Sequence, residues 1–260
     1  HFVQKARDVA LYLASVPGSL GLIDTLLRNL EPKSMIPTTK KQIIQPVDSD
    51  NRYAFIANIS DKLDHNTKKV TFSKAQLTII FLVNLSTDVN DSLKEALPTL
   101  LHICICLLDH YVPLVQESAS RIICNLIFGI APDHERTEET ADLLQNRSNL
   151  WSYDNLVKDK RGARSPKAMD LLIRNIVQIF SPSSGNIQND WQRISLKWAT
   201  TCPVRHIACR SFQVFRSLLS FLDQEMLRDM LHRLSNTIAD DNPDIQGFAM
   251  QILMTLNAIM

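Results

Sequence analysis

The stretch TTCPVRHIACRSFQVF, residues 200–215, decides how this chain is read. It places Cys202, His206 and Cys209 within eight positions, an arrangement open to three readings: a metal site, a thiol with its base, or the first turns of a helix. On a helix of about 3.6 residues per turn, those three side chains share one face. Val204, Ile207, Ser211, Val214, Phe215, Leu218 and Leu222 gather on the other. Burying that second face holds the helix, at about 1.5–3 kcal/mol per large side chain. A structural zinc takes four ligands, usually as close pairs such as Cys-x2-Cys, and no second cluster accompanies these three. A catalytic Cys–His pair needs an orienting third group and an oxyanion hole, and no motif supplies either. The sequence therefore predicts neither a catalytic nor a metal or cofactor site here. It predicts a polar helix face with two partly packed thiols, and the sharper reading of that face is a surface for a partner.

The proline-led opening recurs. PLVQESA (113–119), PVRHIA (203–208) and PDIQGFA (243–249) share Pro, a β-branched residue, Gln or Arg, and Ala. The last two prolines are 40 residues apart and the first two 90, about twice that step. Proline at the first helical position costs no hydrogen bond and presets φ. Asp109 and Asp241 precede two of these prolines, where a carboxylate can cap the helix. Paired helices repeating at about 40–47 residues mark HEAT or armadillo solenoids. The predicted fold is thus all-α, a superhelix of roughly four such pairs with residues 165–260 the best-defined repeats. Second helices of such pairs commonly line the concave side. That places a partner groove on Arg205, His206, Cys209, Gln213 and Arg216 in the middle repeat. Gln116 and Glu117, with Ser120 and Cys124, occupy the corresponding stripe of the first repeat, and Gln246 and Met250, with Gly247 and Met254, that of the last.

Helical periodicity runs through most of the chain. Phe2, Ala6, Val9, Ala10 and Leu13 form one apolar face, and residues 19–30 read as an antiparallel partner. SKAQLTIIFLVNL (73–85) opens with capping-box spacing, Ser73 to Gln76, and is apolar on nearly every side, which predicts a central helix. Further helices are expected at 92–109, 113–129, 166–180, 187–200, 203–221, 224–239 and from 243 onward. Residues 31–72 and 131–164 lose the periodicity and read as two long irregular connections, the first with a short helix at 53–59. The apolar helix at the end lacks the polar cap an exposed solenoid end needs, so the chain reads as part of a longer solenoid or as one end covered by a partner.

Bulk composition narrows the function. A net charge of +1 gives no electrostatic drive toward nucleic acid or anionic membrane. Six glycines in 260 residues are few against an average usage of about 7% and disfavour phosphate-cradling loops. GxGxxG, P-loop and GxSxG motifs are all missing from the sequence. Five cysteines, two of them in the apolar run HICIC (102–106), point to thiols as buried hydrophobes in a reducing compartment, with the cytoplasm as the expected location. The basic run KDKRGAR (158–164) reads as a solvated loop.

WATTCPVRHIACRSFQVFRSLL (198–219) and RLSNTIADDNPDIQGFAMQILMTLNAI (233–259) closely resemble the Furry family of cell-morphogenesis proteins, and residues 73–85 fit the same pattern less distinctively. The two long connections depart from the animal pattern and point to a fungal member. The resemblance implies a very large cytoplasmic scaffold of HEAT/armadillo-like repeats, of which this chain is an internal portion. It also implies partners among NDR-type kinases and their Mob coactivators, a role in polarised growth and cell shape, and enrichment at the cell cortex or growth sites. It carries no enzymatic activity and no residue-level binding motif. A generic HEAT adaptor in transport or trafficking is the rival within the same fold, and a Cys/His metal-binding domain the rival outside it.

Overall fold

Apolar residues at three- and four-residue steps give helices throughout the computed structural model, which describes residues 2–16, 21–37, 72–146, 150–151, 167–240 and 245–259. In chain order these are α1 (Phe2–Ser15), α2 (Gly21–Arg28), a 3-10 turn (Pro32–Met35), α3 (Lys74–Leu85), α4 (Asp91–Glu95), α5 (Leu97–Leu107), α6 (Pro113–Ile130), α7 (Thr137–Gln145), α8 (Lys167–Phe180), α9 (Ile187–Thr201), α10 (Arg205–Leu218), α11 (Gln224–Ile238) and α12 (Ile245–Ile259). Among the described residues there is no β-strand, only an isolated bridge between Pro37 and Ser73. The expected all-α class holds. The short helix expected at 53–59, the basic run 158–164 and the cap expected of Asp241 lie outside the described residues.

The helices stack in two layers. α5, α9 and α11 follow one another in one layer, and α6, α8, α10 and α12 in the other. The short turn 202–204 returns α10 along α9, the most extensive contact among the described helices. α8 packs against both α6 and α10. This accounts for the double step between the proline openings at 113 and 203: α7, α8 and α9 lie between α6 and α10, where α11 alone lies between α10 and α12.

Local chemistry sets the helix limits. Ser73 Oγ accepts from the Gln76 N–H at 3.2 Å while Gln76 Oε1 accepts from the Ser73 N–H at 3.0 Å, so the predicted capping box is formed. The helix expected at 92–109 divides at Ala96, because Pro98 cannot donate to the preceding turn and disfavours helical backbone before it. Gly129 lets α6 pass close to Val89, where a Cβ would meet Val89 Cγ2 at 2.5 Å. The second connection contains a helix, α7, that the apolar pattern does not show. Its inward face is Thr137, Thr140, Ala141 and Leu144, and both threonine hydroxyls donate to backbone carbonyls, of Ala131 at 2.8 Å and Arg136 at 2.7 Å.

α5 forms the centre, with every residue from Leu100 to Leu108 buried. A helix apolar on all sides is stable only when surrounded, and α4, α6, α9 and α10 supply that cover. Trp191, Phe180, Phe212 and Phe215 fill the space around the α9–α10 pair. At the other end α1 is held differently. Among its residues from Val3 to Ser15 the buried side chain is Arg7, which donates to the Ile80 carbonyl at 2.9 Å and Ser118 Oγ at 2.7 Å. The apolar face read from the sequence stays largely open, with Val9 57% and Leu13 50% exposed.

Candidate partner-binding cleft

Asp109 lies in the corner between α5 and α6. It does not cap α6, whose N-cap residue is Val112 with no side-chain cap. The carboxylate turns instead to α10, where Oδ2 accepts from Arg210 Nε at 2.9 Å and Nη2 at 2.5 Å, and Oδ1 meets His206 Nε2 at 3.1 Å. Arg210 also lies over the Trp151 ring, 4.4 Å from its centroid, and donates to Gln213 Oε1 at 2.9 Å. Trp151 in turn donates its indole N–H to the Ile105 carbonyl at 3.2 Å. Burial opposes the Asp109 charge, but the His206 hydrogen bond and the Arg210 guanidinium outweigh it and hold the carboxyl below its ordinary range.

Beside this cluster opens a cleft of about 380 Å³ lined by Met35, Pro37, Gln76, Asp109, His110, Tyr111, Val204, His206 and Ile207. Met35 and Ile207 are buried and give it an apolar floor, while Tyr111 stands 77% exposed at the rim. Tyr111 stacks on His110 with ring centroids 4.5 Å apart. His110 is fixed in turn: Nδ1 accepts from the Val112 N–H at 3.1 Å and Nε2 faces Gln76 Nε2 at 3.0 Å. Burial lowers its pKa, which favours a neutral ring. An apolar floor with an aromatic lip and a few fixed polar groups suits the capture of an apolar side chain from a partner segment.

Of the residues expected on a partner groove, His206 alone lines this cleft. Arg205 is half-buried and paired with Asp240 at 2.8 Å. Cys209 and Gln116 are half-buried, Glu117 and Gln246 are exposed, and Met250 is 55% exposed. Gln213 and Arg216, expected on an open flank, are both 3% exposed, which corrects the idea of a bare stripe along α10. The reason is packing: α5, α8, α9 and α12 all contact α10, and every residue from Ser211 to Arg216 is buried. Arg216 Nη1 donates to Thr255 Oγ1 at 2.8 Å and the Gln251 carbonyl at 3.2 Å, and Nη2 to Gln251 Oε1 at 2.8 Å. The three side chains that opened the sequence reading diverge. Cys202 sits at the extended C-cap of α9 with Sγ toward the Pro32 carbonyl at 3.8 Å, and His206 is engaged by Asp109. Burial raises the Cys202 thiol to about 11 and the Cys209 thiol above its usual value, so both favour the unreactive protonated form. Among the described residues no three His, Cys, Asp or Glu side chains form a metal-holding group.

The Asp109 cluster yields a direct test. Asp109→Asn keeps the shape and removes the charge beside a half-buried Arg210, so unfolding free energy at pH 7 should fall by about 1–2 kcal/mol. A carboxyl depressed by folding contributes above the unfolded value of about 3.9 and loses that contribution as pH falls through the folded one. Denaturation at pH 7 and pH 3 should therefore show a smaller acid loss in the variant than in the wild type.

Fold and geometry together define a helical-stack protein with an apolar-floored cleft where the α5–α6 corner meets the start of α10. The chain belongs to the family described as the cell morphogenesis central region, whose model matches residues 50–247. It is 66% identical over 259 residues to the cell morphogenesis protein PAG1 of Saccharomyces cerevisiae, covering all of this chain and 11% of that protein. It is 28% identical over 268 residues to the cell polarity protein mor2 of Schizosaccharomyces pombe, covering 99% of this chain and 12% of that one. These fungal relatives bear out the Furry-family resemblance carried by residues 198–219 and 233–259. The chain spans about a tenth of the length of the relatives it matches. No described helix is long and apolar enough to cross a membrane.

Proposed function

We propose that the chain is a non-enzymatic HEAT/armadillo-type scaffold segment in cell morphogenesis. Its task is to present a recognition surface to the NDR-type kinase or Mob coactivator of a polarised-growth pathway at the cell cortex. The names of the two relatives support the morphogenesis role. The observation that carries the surface is the cleft at the Asp109 corner, with Tyr111 held open on a fixed His110 and His206 across from it.

The experiment is a binding titration of the chain with a purified NDR-type kinase and with its Mob partner. Removing the rim by Tyr111→Ala with His206→Ala should weaken binding at least tenfold, the scale of losing an aromatic anchor, with melting nearly unchanged because both side chains are largely exposed. Absence of wild-type binding to either protein, or equal affinity of the variant, counts against the proposal.

A further inference from the structure

α1 and α2 enclose a second groove, of about 550 Å³, lined by Ala6, Val9, Ala10, Leu13, Leu22 and Leu26 with Phe81 of α3. Among the described residues Lys5 is its one charged wall residue. α2 buries no residue, and no apolar side chain of α1 with a described environment is buried. Yet Ala6, Val9, Ala10 and Leu13 fall at i, i+3, i+4 and i+7, a ridge of large residues beside a furrow of small ones that accepts another helix. Elsewhere in this molecule such faces are covered by the next helix of the stack. α10 is covered by α12, which buries Phe248 and Ile252. The far end repeats the unfinished pattern, where α12 leaves Met250 and Leu253 about half exposed.

We propose that the α1–α2 groove is a stacking seat, filled in cis by an amphipathic helical pair of the same polypeptide with aliphatic ridges and little charge. Three observations favour this occupant over a separate protein. The groove continues the packing mode of the stack, both ends of the stack are open in the same way, and about nine-tenths of each relative lies outside the matched stretch. A wall with a single charge also offers little by which to select a charged partner. Met250, first placed on a partner groove, belongs in this account to the equivalent seat at the opposite end.

Amide hydrogen exchange of residues 2–15 and 21–28, in the full-length polypeptide and in residues 1–260 alone, tests the seat. Protection at least tenfold higher in the full-length protein is expected at every concentration. Val9→Asp with Leu13→Asp should remove that extra protection while leaving the melting temperature of residues 1–260 nearly unchanged. Equal exchange in the two chains overturns the proposal. So does extra protection that disappears on dilution, which would assign the groove to a second copy, or that requires an added protein. Either result leaves the Asp109 cleft and its binding titration unaffected.

Discussion

Lowering the pH from 7 to 5 should remove about 2 kcal/mol of folding stability through one side chain, and the His102→Leu variant should be spared that loss. His102 is fully buried in α5. Its Nε2 lies 2.9 Å from Ser211 Oγ, and the Ser211 hydroxyl donates to the Ile207 carbonyl at 2.8 Å. With that hydroxyl proton committed, the imidazole must be the donor, so its own proton sits on Nε2. Nδ1 is then a bare lone pair, buried and without a hydrogen-bond partner among the described residues. The Trp198 ring, with centroids 5.6 Å apart, further closes the site. A second proton would put a charge in this setting with no acceptor for it, and burial holds the pKa down to about 3. In the unfolded chain the ring titrates near 6.5. Below that value the unfolded state binds a proton that the folded state refuses, and each further pH unit costs the fold about 1.4 kcal/mol until the folded value is reached. At pH 5 that amounts to about 2 kcal/mol, and the folded value lies too far below to matter. Leucine fills a similar volume and leaves Ser211 bonded to Ile207, so the variant should stay within about 1.5 kcal/mol of wild type at pH 7. Urea denaturation of both proteins at pH 7 and pH 5 gives the comparison. Equal losses would show that His102 takes up its proton without unfolding.

The sequence made some of this legible and hid the rest for definable reasons. α3 and α5 could be placed from residues alone, because a capping box and an uninterrupted apolar surface are local signals. α7 could not, since Leu144 is the one large apolar residue on its buried face, and Thr137 and Thr140 are buried there with their hydroxyls donating to backbone carbonyls. Arg7 and Arg216 sit at positions where charge ordinarily means solvent, and only the carbonyls and hydroxyls brought to them by other helices allow burial. The cleft joins Met35 and Pro37, Gln76, the corner 109–111 and the start of α10, segments with no common periodicity. Helix periodicity marks His206, but local spacing makes its partner Asp109 look like a cap, because spacing says nothing of a residue about a hundred positions away.

Arg216→Glu should cost about 3–5 kcal/mol in unfolding free energy, whereas Arg205→Glu should cost less than about 1. Both arginines lie on α10 and a sequence reading sets them on one open flank, so the contrast isolates the effect of packing. Arg205 is about one-third exposed and its carboxylate partner Asp240 about half exposed, so solvent screens that pair. Arg216 is buried under α12, donating to a carbonyl, an amide oxygen and a hydroxyl. A glutamate there would bring a buried negative charge to the Gln251 carbonyl and amide oxygens and take the Arg216 donor from both, although the carbonyl keeps its bond from the Thr255 hydroxyl at 2.7 Å. Arg216→Met separates charge from volume: it keeps most of the side-chain bulk and should lose only about 1–2 kcal/mol, the scale of unmade hydrogen bonds. Denaturation midpoints with unchanged slopes supply the measurement, and a mild Arg216→Glu variant would mean that α12 does not cover α10. The consequence for function is concrete. A binding defect in an Arg216 variant would report a displaced last helix pair, so only a variant such as Arg205→Glu, which leaves the stack folded, can test whether this part of α10 touches a partner.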